Sequence, residues 1–139
     1  MDVNEQMAAL AAAFADCRKA FTAMGDENRQ LIILALLRHS GGMRVGELME
    51  EVGLSRPALS HHLRILKEAG IVDMFKIGTK NYYHLSGDKK NWDRFTVLMR
   101  QIEALMAQGN KDCSQRKELE EDERHRGDGG PAFRPELSE

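Results

Sequence analysis

The sequence predicts a mainly α fold carrying one small β-hairpin, and three observations predict it. Residues 54–72 hold a helix with two incompatible faces, an apolar-striped segment precedes it after a short gap, and two β-rich runs joined by a turn follow it. On the central helix Leu59, Leu63, Leu66 and Ala69 recur at helical spacing and require burial, whereas Arg56, Ser60, His61, Arg64 and Lys67 point away as cations and hydrogen-bond donors. Ser55 suits the N-cap, Pro57 is tolerated in the first turn where amides lack helical partners, and Gly70 can end the helix in the left-handed conformation.

The elements follow in order. Met7, Leu10, Phe14, Cys17 and Phe21 alternate spacings of three and four, which gives a first helix with a narrow apolar seam. Asp26 is placed to cap a second helix, where Leu31, Leu34, Ala35 and Arg38 alternate with other apolar residues and predict nearly complete burial until Gly41-Gly42 breaks the run. Val45, Leu48, Met49 and Val52 stripe a short third helix that stops at Gly53, so the tight Gly53-Leu54-Ser55 connection makes a helix-turn-helix with the two-faced helix. Ile71 to Ile77, the turn Gly78-Thr79-Lys80 and Asn81 to Leu85 form a hairpin wing with Lys76 and Lys80 near its tip. The last helix runs from about Asp88 to Gln108 and carries a second seam of Trp92, Phe95, Leu98 or Met99, and Ile102.

Such a layout predicts a winged helix-turn-helix in which the two-faced helix enters the DNA major groove. Ser55, Arg56, Pro57, Ser60, His61 and Arg64 are expected to face the groove, with Lys76, Thr79 and Lys80 on the backbone or minor groove. His62 is expected to turn partly into the domain. The two seams, Leu10, Phe14, Cys17 and Phe21 with Trp92, Phe95, Leu98, Met99 and Ile102, are read as a homodimer interface pairing the first and last helices. The alternative is that both seams merely cap the protomer's own core.

Composition agrees. A chain of 139 residues, 42% of them hydrophobic, supports one compact core, so residues 1–109 are expected to form the DNA-binding and dimerisation domain and residues 110–139 a charged, disordered tail, within which Gln115 to Arg126 can extend the last helix through Glu/Arg and Glu/Lys neighbours. The net charge of −2 hides a segregation: residues 53–85 carry five Lys/Arg against two acids, while residues 110–139 carry six against nine. The first region suits phosphates and the second weakens nonspecific binding. The chain has no long apolar run and no signal-peptide pattern, and its two cysteines are far apart, so no membrane association and a reducing cytoplasmic location are expected.

The blocks Met24 to Leu34, Val45 to Leu48, Leu59 to Val72 and Gly78 to Leu85 resemble the signature segments of the arsenic-repressor (ArsR) family of bacterial winged-helix repressors. Ser60, His62, Leu63, Leu66, Ala69 and Gly70 carry the most specific part of the likeness. The resemblance implies a homodimer bound to double-stranded promoter DNA and, in many members, release by a metal, metalloid or oxidant. The usual sensing residues do not carry over. Met43, Val45 and Gly46 stand where metal-sensing relatives place cysteines, the last helix offers Asp88, Asp93 and Glu103 without a histidine, and Ala35 stands near the persulfide-sensing cysteine. Scattered carboxylates are poor ligands for the borderline metals such sites take, so neither a metal site nor a cofactor is expected, and no inducer is indicated.

Two further readings complete the expectation. Cys17 and Cys113 are possible redox thiols, weighed against plain packing for the first and a free surface thiol for the second. No phosphate loop, nucleophile elbow or His-Glu-x-x-His motif occurs, so the chain is not expected to be an enzyme, and the rival to a DNA-binding repressor is a winged helix used only for protein interaction.

Overall fold

The computed structural model describes residues 2–128. It contains α1 (Val3–Met24), α2 (Glu27–Arg38), α3 (Val45–Val52), α4 (Arg56–Glu68), β1 (Val72–Ile77), β2 (Lys80–Leu85) and α5 (Lys89–Asp128). The chain divides into two compact units, Met1–Met99 and Arg100–Glu139.

The first unit is built on local instructions in the sequence. Asp2 and Asp26 accept hydrogen bonds from the amides of Glu5 and Arg29, starting α1 and α2 at otherwise unpaired donors. Ser55 Oγ accepts from the amide of Ala58 at 3.3 Å and starts α4. Gly53 ends α3 at φ 72°, a left-handed turn that a side chain would strain. β1 and β2 pair antiparallel, with Val72 opposite Leu85 and Ile77 opposite Lys80, leaving Gly78-Thr79 as a two-residue turn. Lys80 therefore opens the returning strand and is not part of the turn. Met43 adds an antiparallel bridge to Tyr83 that hydrophobic patterning does not disclose, with N···O distances of 2.9 and 2.8 Å. Gly42 leads into it at φ 100°, where a Cβ would meet the Phe75 ring at 3.2 Å.

Ala20 and Ala23 from α1, Ile32, Ala35 and Leu36 from α2, Leu48 from α3, Leu59, Leu63, Leu66 and Ala69 at α4, and Ile71 and Val72 form one buried cluster. Each large aliphatic side chain so buried stabilises the fold by about 1.5–3 kcal/mol. The three leucines of α4 thus hold the two-faced helix rigidly by its inner side. α2 corrects the expectation of near-complete burial. Leu34 and Leu37 are 54% and 61% exposed and Leu31 is also exposed, because the core covers only the face of Ile32, Ala35 and Leu36.

The interior also corrects part of the expected dimer seam. Cys17 and Leu98 are 0% exposed within one protomer. Phe95 packs on Phe21 at 5.5 Å and on Trp92 at 6.4 Å between ring centroids, and both Trp92 and Phe95 rest against the core cluster. Trp92 Nε1 further donates to the carbonyl of Ser86 at 2.8 Å. Cys17 and Leu98 are thus buried in their own chain, while Trp92 and Phe95 are half-buried beside them, because α1 lies against the start of α5 there. Leu10 is half-buried, whereas Phe14, Phe21 and Met99 remain exposed.

In the second unit the helix continues through Gln108 to Asp128, past residue 110 and along the stretch 115–126 that its charged neighbours allow to be helical. Ion pairs one helical turn apart, Arg116 with Glu120 and Asp122 with Arg126, support the exposed stretch. Ile102 in this unit is half-buried and Cys113 is exposed. The remainder of the expected tail, residues 129–139, lies outside the described residues.

Candidate nucleic-acid interface

The burial of Leu59, Leu63 and Leu66 turns the opposite side of α4 outward. Ser55, Arg56, Pro57, Ser60, His61 and Arg64 are all exposed, as are Lys76, Thr79 and Lys80 on the wing. The structure brings the start of α4 and the wing together at one cleft of about 550 Å³, whose lining includes Arg56, Lys80 and Asn81. Arg44, Gly46 and Glu47, at the start of α3, line it too.

Arg44 and Asn81 are the residues that the sequence reading missed. A weak signal for Arg44 was present, since a glutamate three positions on is the usual partner of a helix N-cap. Glu47 Oε1 accepts from both the backbone amide and the Nε of Arg44 at 3.1 Å. The backbone bond, followed by the guanidinium, holds the Glu47 carboxyl below the usual carboxylate range.

The adjacent histidines of α4 separate as expected. His61 is exposed, whereas His62 turns inward, with Nδ1 3.2 Å from an Arg29 guanidinium nitrogen and 4.0 Å from Asp26 Oδ1. A guanidinium only donates, so Nδ1 of His62 accepts in this bond. Arg29 also donates to the carbonyls of Thr22 and Ala23, closing the end of α1. His62 is therefore a brace between the two-faced helix and the α1–α2 corner.

The thiols have different surroundings. Cys17 Sγ donates to the carbonyl of Arg94 at 3.6 Å, and burial pushes its thiol up, away from the reactive thiolate. Among the described residues no group of three His, Cys, Asp or Glu is placed to hold a metal ion, and no helix is long and apolar enough to cross a membrane.

Comparison with known proteins gives one answer. Residues 26–74 match the profile described as bacterial regulatory protein, arsR family. An uncharacterised HTH-type transcriptional regulator of Methanocaldococcus jannaschii is 46% identical over 69 residues, covering 50% of this chain and 76% of that protein. The transcriptional repressor SdpR of Bacillus subtilis is 38% identical over 76 residues, covering 52% of this chain and 82% of its own. An ArsR-like transcriptional regulator from Rhodococcus shares the fold at TM-score 0.62 and 25% identity, covering 81% of this chain and 96% of that one. With its helix-turn-helix, its wing and these relatives, the chain belongs to the arsR family of bacterial regulatory proteins and is a DNA-binding transcriptional regulator.

Proposed function

We propose that the protein is a cytoplasmic, homodimeric repressor that binds promoter DNA and is released by an inducer. Ser55, Arg56, Pro57, Ser60, His61 and Arg64 read the major groove, and Lys76, Thr79 and Lys80 grip the backbone or minor groove beside it. One observation carries the reading: all nine side chains are exposed while the leucines on the far side of α4 are buried. The exposed surface carries Arg56, Arg64, Lys76 and Lys80, cations suited to phosphates.

Dimerisation is supported by apolar side chains that the protomer leaves uncovered. Val3, Met7, Phe14 and Phe21 on α1, and Val97 and Met99 on α5, are exposed large hydrophobics. A second copy is the occupant that a two-fold DNA site calls for, with half-sites about 34–36 Å apart on one face of the duplex. The charged segment from residue 110 acts as a tail that weakens nonspecific binding.

Duplex DNA from the protein's own promoter region, titrated at rising salt, tests the proposal. With about six phosphates neutralised per dimer, affinity falls by about a thousandfold between 50 and 200 mM salt. Salt-insensitive binding, or none, overturns it.

A further inference from the structure

Three cations from three elements converge on the cleft beside α4: Arg44 before α3, Arg56 at the first turn of α4 and Lys80 at the start of β2. Arg56 and Lys80 already belong to the proposed DNA surface. Arg44 does not, and its guanidinium is engaged by Glu47 at 3.1 Å. The two side chains are 43% and 47% exposed, so water screens the pair and the bond is easily exchanged.

We infer that Arg44 is a further DNA-contacting residue, which gives up Glu47 when the duplex binds and joins Arg56 and Lys80 on the backbone phosphates at the mouth of the cleft. The inference rests on the DNA surface proposed above. A guanidinium presents a planar fork of donors that matches phosphate oxygens, and a doubly charge-assisted contact to phosphate replaces one to a carboxylate. Gly46 also lines the cleft, which is open there, since nothing lies within 4 Å of where a Cβ would stand. Glu47 keeps its bond to the Arg44 amide after releasing the guanidinium, so α3 retains its start. Glu47 and Glu50 line the same cleft, which therefore sets three cations against two carboxylates. The acids lower the affinity for any phosphate that does not also reach Arg56 and Lys80, and so penalise misplaced duplexes.

Full-length protein titrated with operator and scrambled duplexes from about 50 to 200 mM potassium chloride tests this, because each lost phosphate contact lowers the log–log salt slope by about one. Arg44→Ser removes the cation but leaves a favoured N-cap, so the expected result is weaker binding to both duplexes, a slope lower by about one and an unchanged melting temperature. Glu47→Gln keeps the cap and deletes the charge, so binding to both tightens by about two- to fivefold at low salt with the slope retained. If Arg56→Ala flattens the slope and Arg44→Ser does not, Arg44 is no contact and the DNA surface stands; if neither does, the DNA surface itself fails. Unchanged or weaker binding by Glu47→Gln overturns the exchange. Inorganic phosphate that stabilises the parent but not Arg44→Ser at equal ionic strength, with the DNA salt slope unaltered by the substitution, makes the cleft a free-anion site and also overturns the inference.

Discussion

A guanidinium nitrogen of Arg29 on α2 stands 3.2 Å from Nδ1 of His62 on α4, while the neighbouring His61 faces solvent. One turn of the same helix thus holds a brace and a candidate DNA contact side by side. His61→Ala is expected to weaken operator binding with the melting temperature retained. His62→Ala leaves the Arg29 donor without its partner and is expected to cost about 1–3 kcal/mol of stability. Chemical denaturation and DNA titration of both variants check this, and an interchange of the two phenotypes refutes the assignment.

Arg56 and Arg64 are the arginines on the outward face of α4. Replacing a base-reading arginine with alanine is expected to cost about 1–3 kcal/mol on the operator and little on scrambled DNA. Replacing a phosphate-bound one weakens both duplexes and flattens the salt slope by about one. If both variants bind like the parent, α4 is not the reader.

The dimer is best probed where the protomer leaves apolar surface uncovered. Phe14→Glu or Met99→Glu, both at exposed positions, is expected to give folded monomers that bind the operator poorly, as read by light scattering and melting. Leu98→Glu is expected to unfold the chain, since it buries an unpaired charge at a cost of several kcal/mol. A parent protein that is monomeric at micromolar concentration contradicts the interface.

The two thiols should react in two phases. Cys113 is exposed and is expected to titrate at once with a thiol reagent, whereas Cys17 reacts only on unfolding. Fast loss of both thiols from the folded protein would show that α1 opens. Operator binding by Cys17→Ser, Cys113→Ser and the parent, with and without a mild oxidant, then tests redox control directly.

Asp26 supplies a pH test. The amide of Arg29 is the main cause of its low carboxyl pKa, so the charged form is favoured by folding. That contribution is fully present above the ordinary aspartate range, about pH 4, and is lost as pH falls through the depressed value. Asparagine keeps an acceptor for the cap but not the charge, so Asp26→Asn should be slightly less stable than the parent near neutrality and lose less stability in acid. Parallel melting curves for the two proteins across that range would contradict this account.

What the sequence disclosed was written in neighbouring residues. The leucine stripe of α4, the Ser55 cap, the turn at Gly53 and the hairpin all depend on contacts within a few positions, and each was legible. The misses depended on distant partners. Leu31 and Leu34 read as interior because an apolar helix face looks the same whether or not anything covers it. Cys17 and Leu98 read as intersubunit because seam spacing does not say which helix lies opposite. Arg44 carries little local signal because it meets Arg56 and Lys80 at one cleft only after folding.

Arg94 donates to the carbonyl of Ala69 at the end of α4 at 2.6 Å and reaches the carbonyl of Asp16 on α1 at 3.5 Å. One side chain of α5 thereby grasps the backbone of both helices, and its own carbonyl receives the Cys17 thiol. The middle of α1 and the end of α4 are thus tied to one side chain, like two boards on a single nail. Removing that one side chain would leave the carbonyls of Asp16 and Ala69 without a shared donor, so α1 and the end of α4 would lose a common anchor in a single substitution.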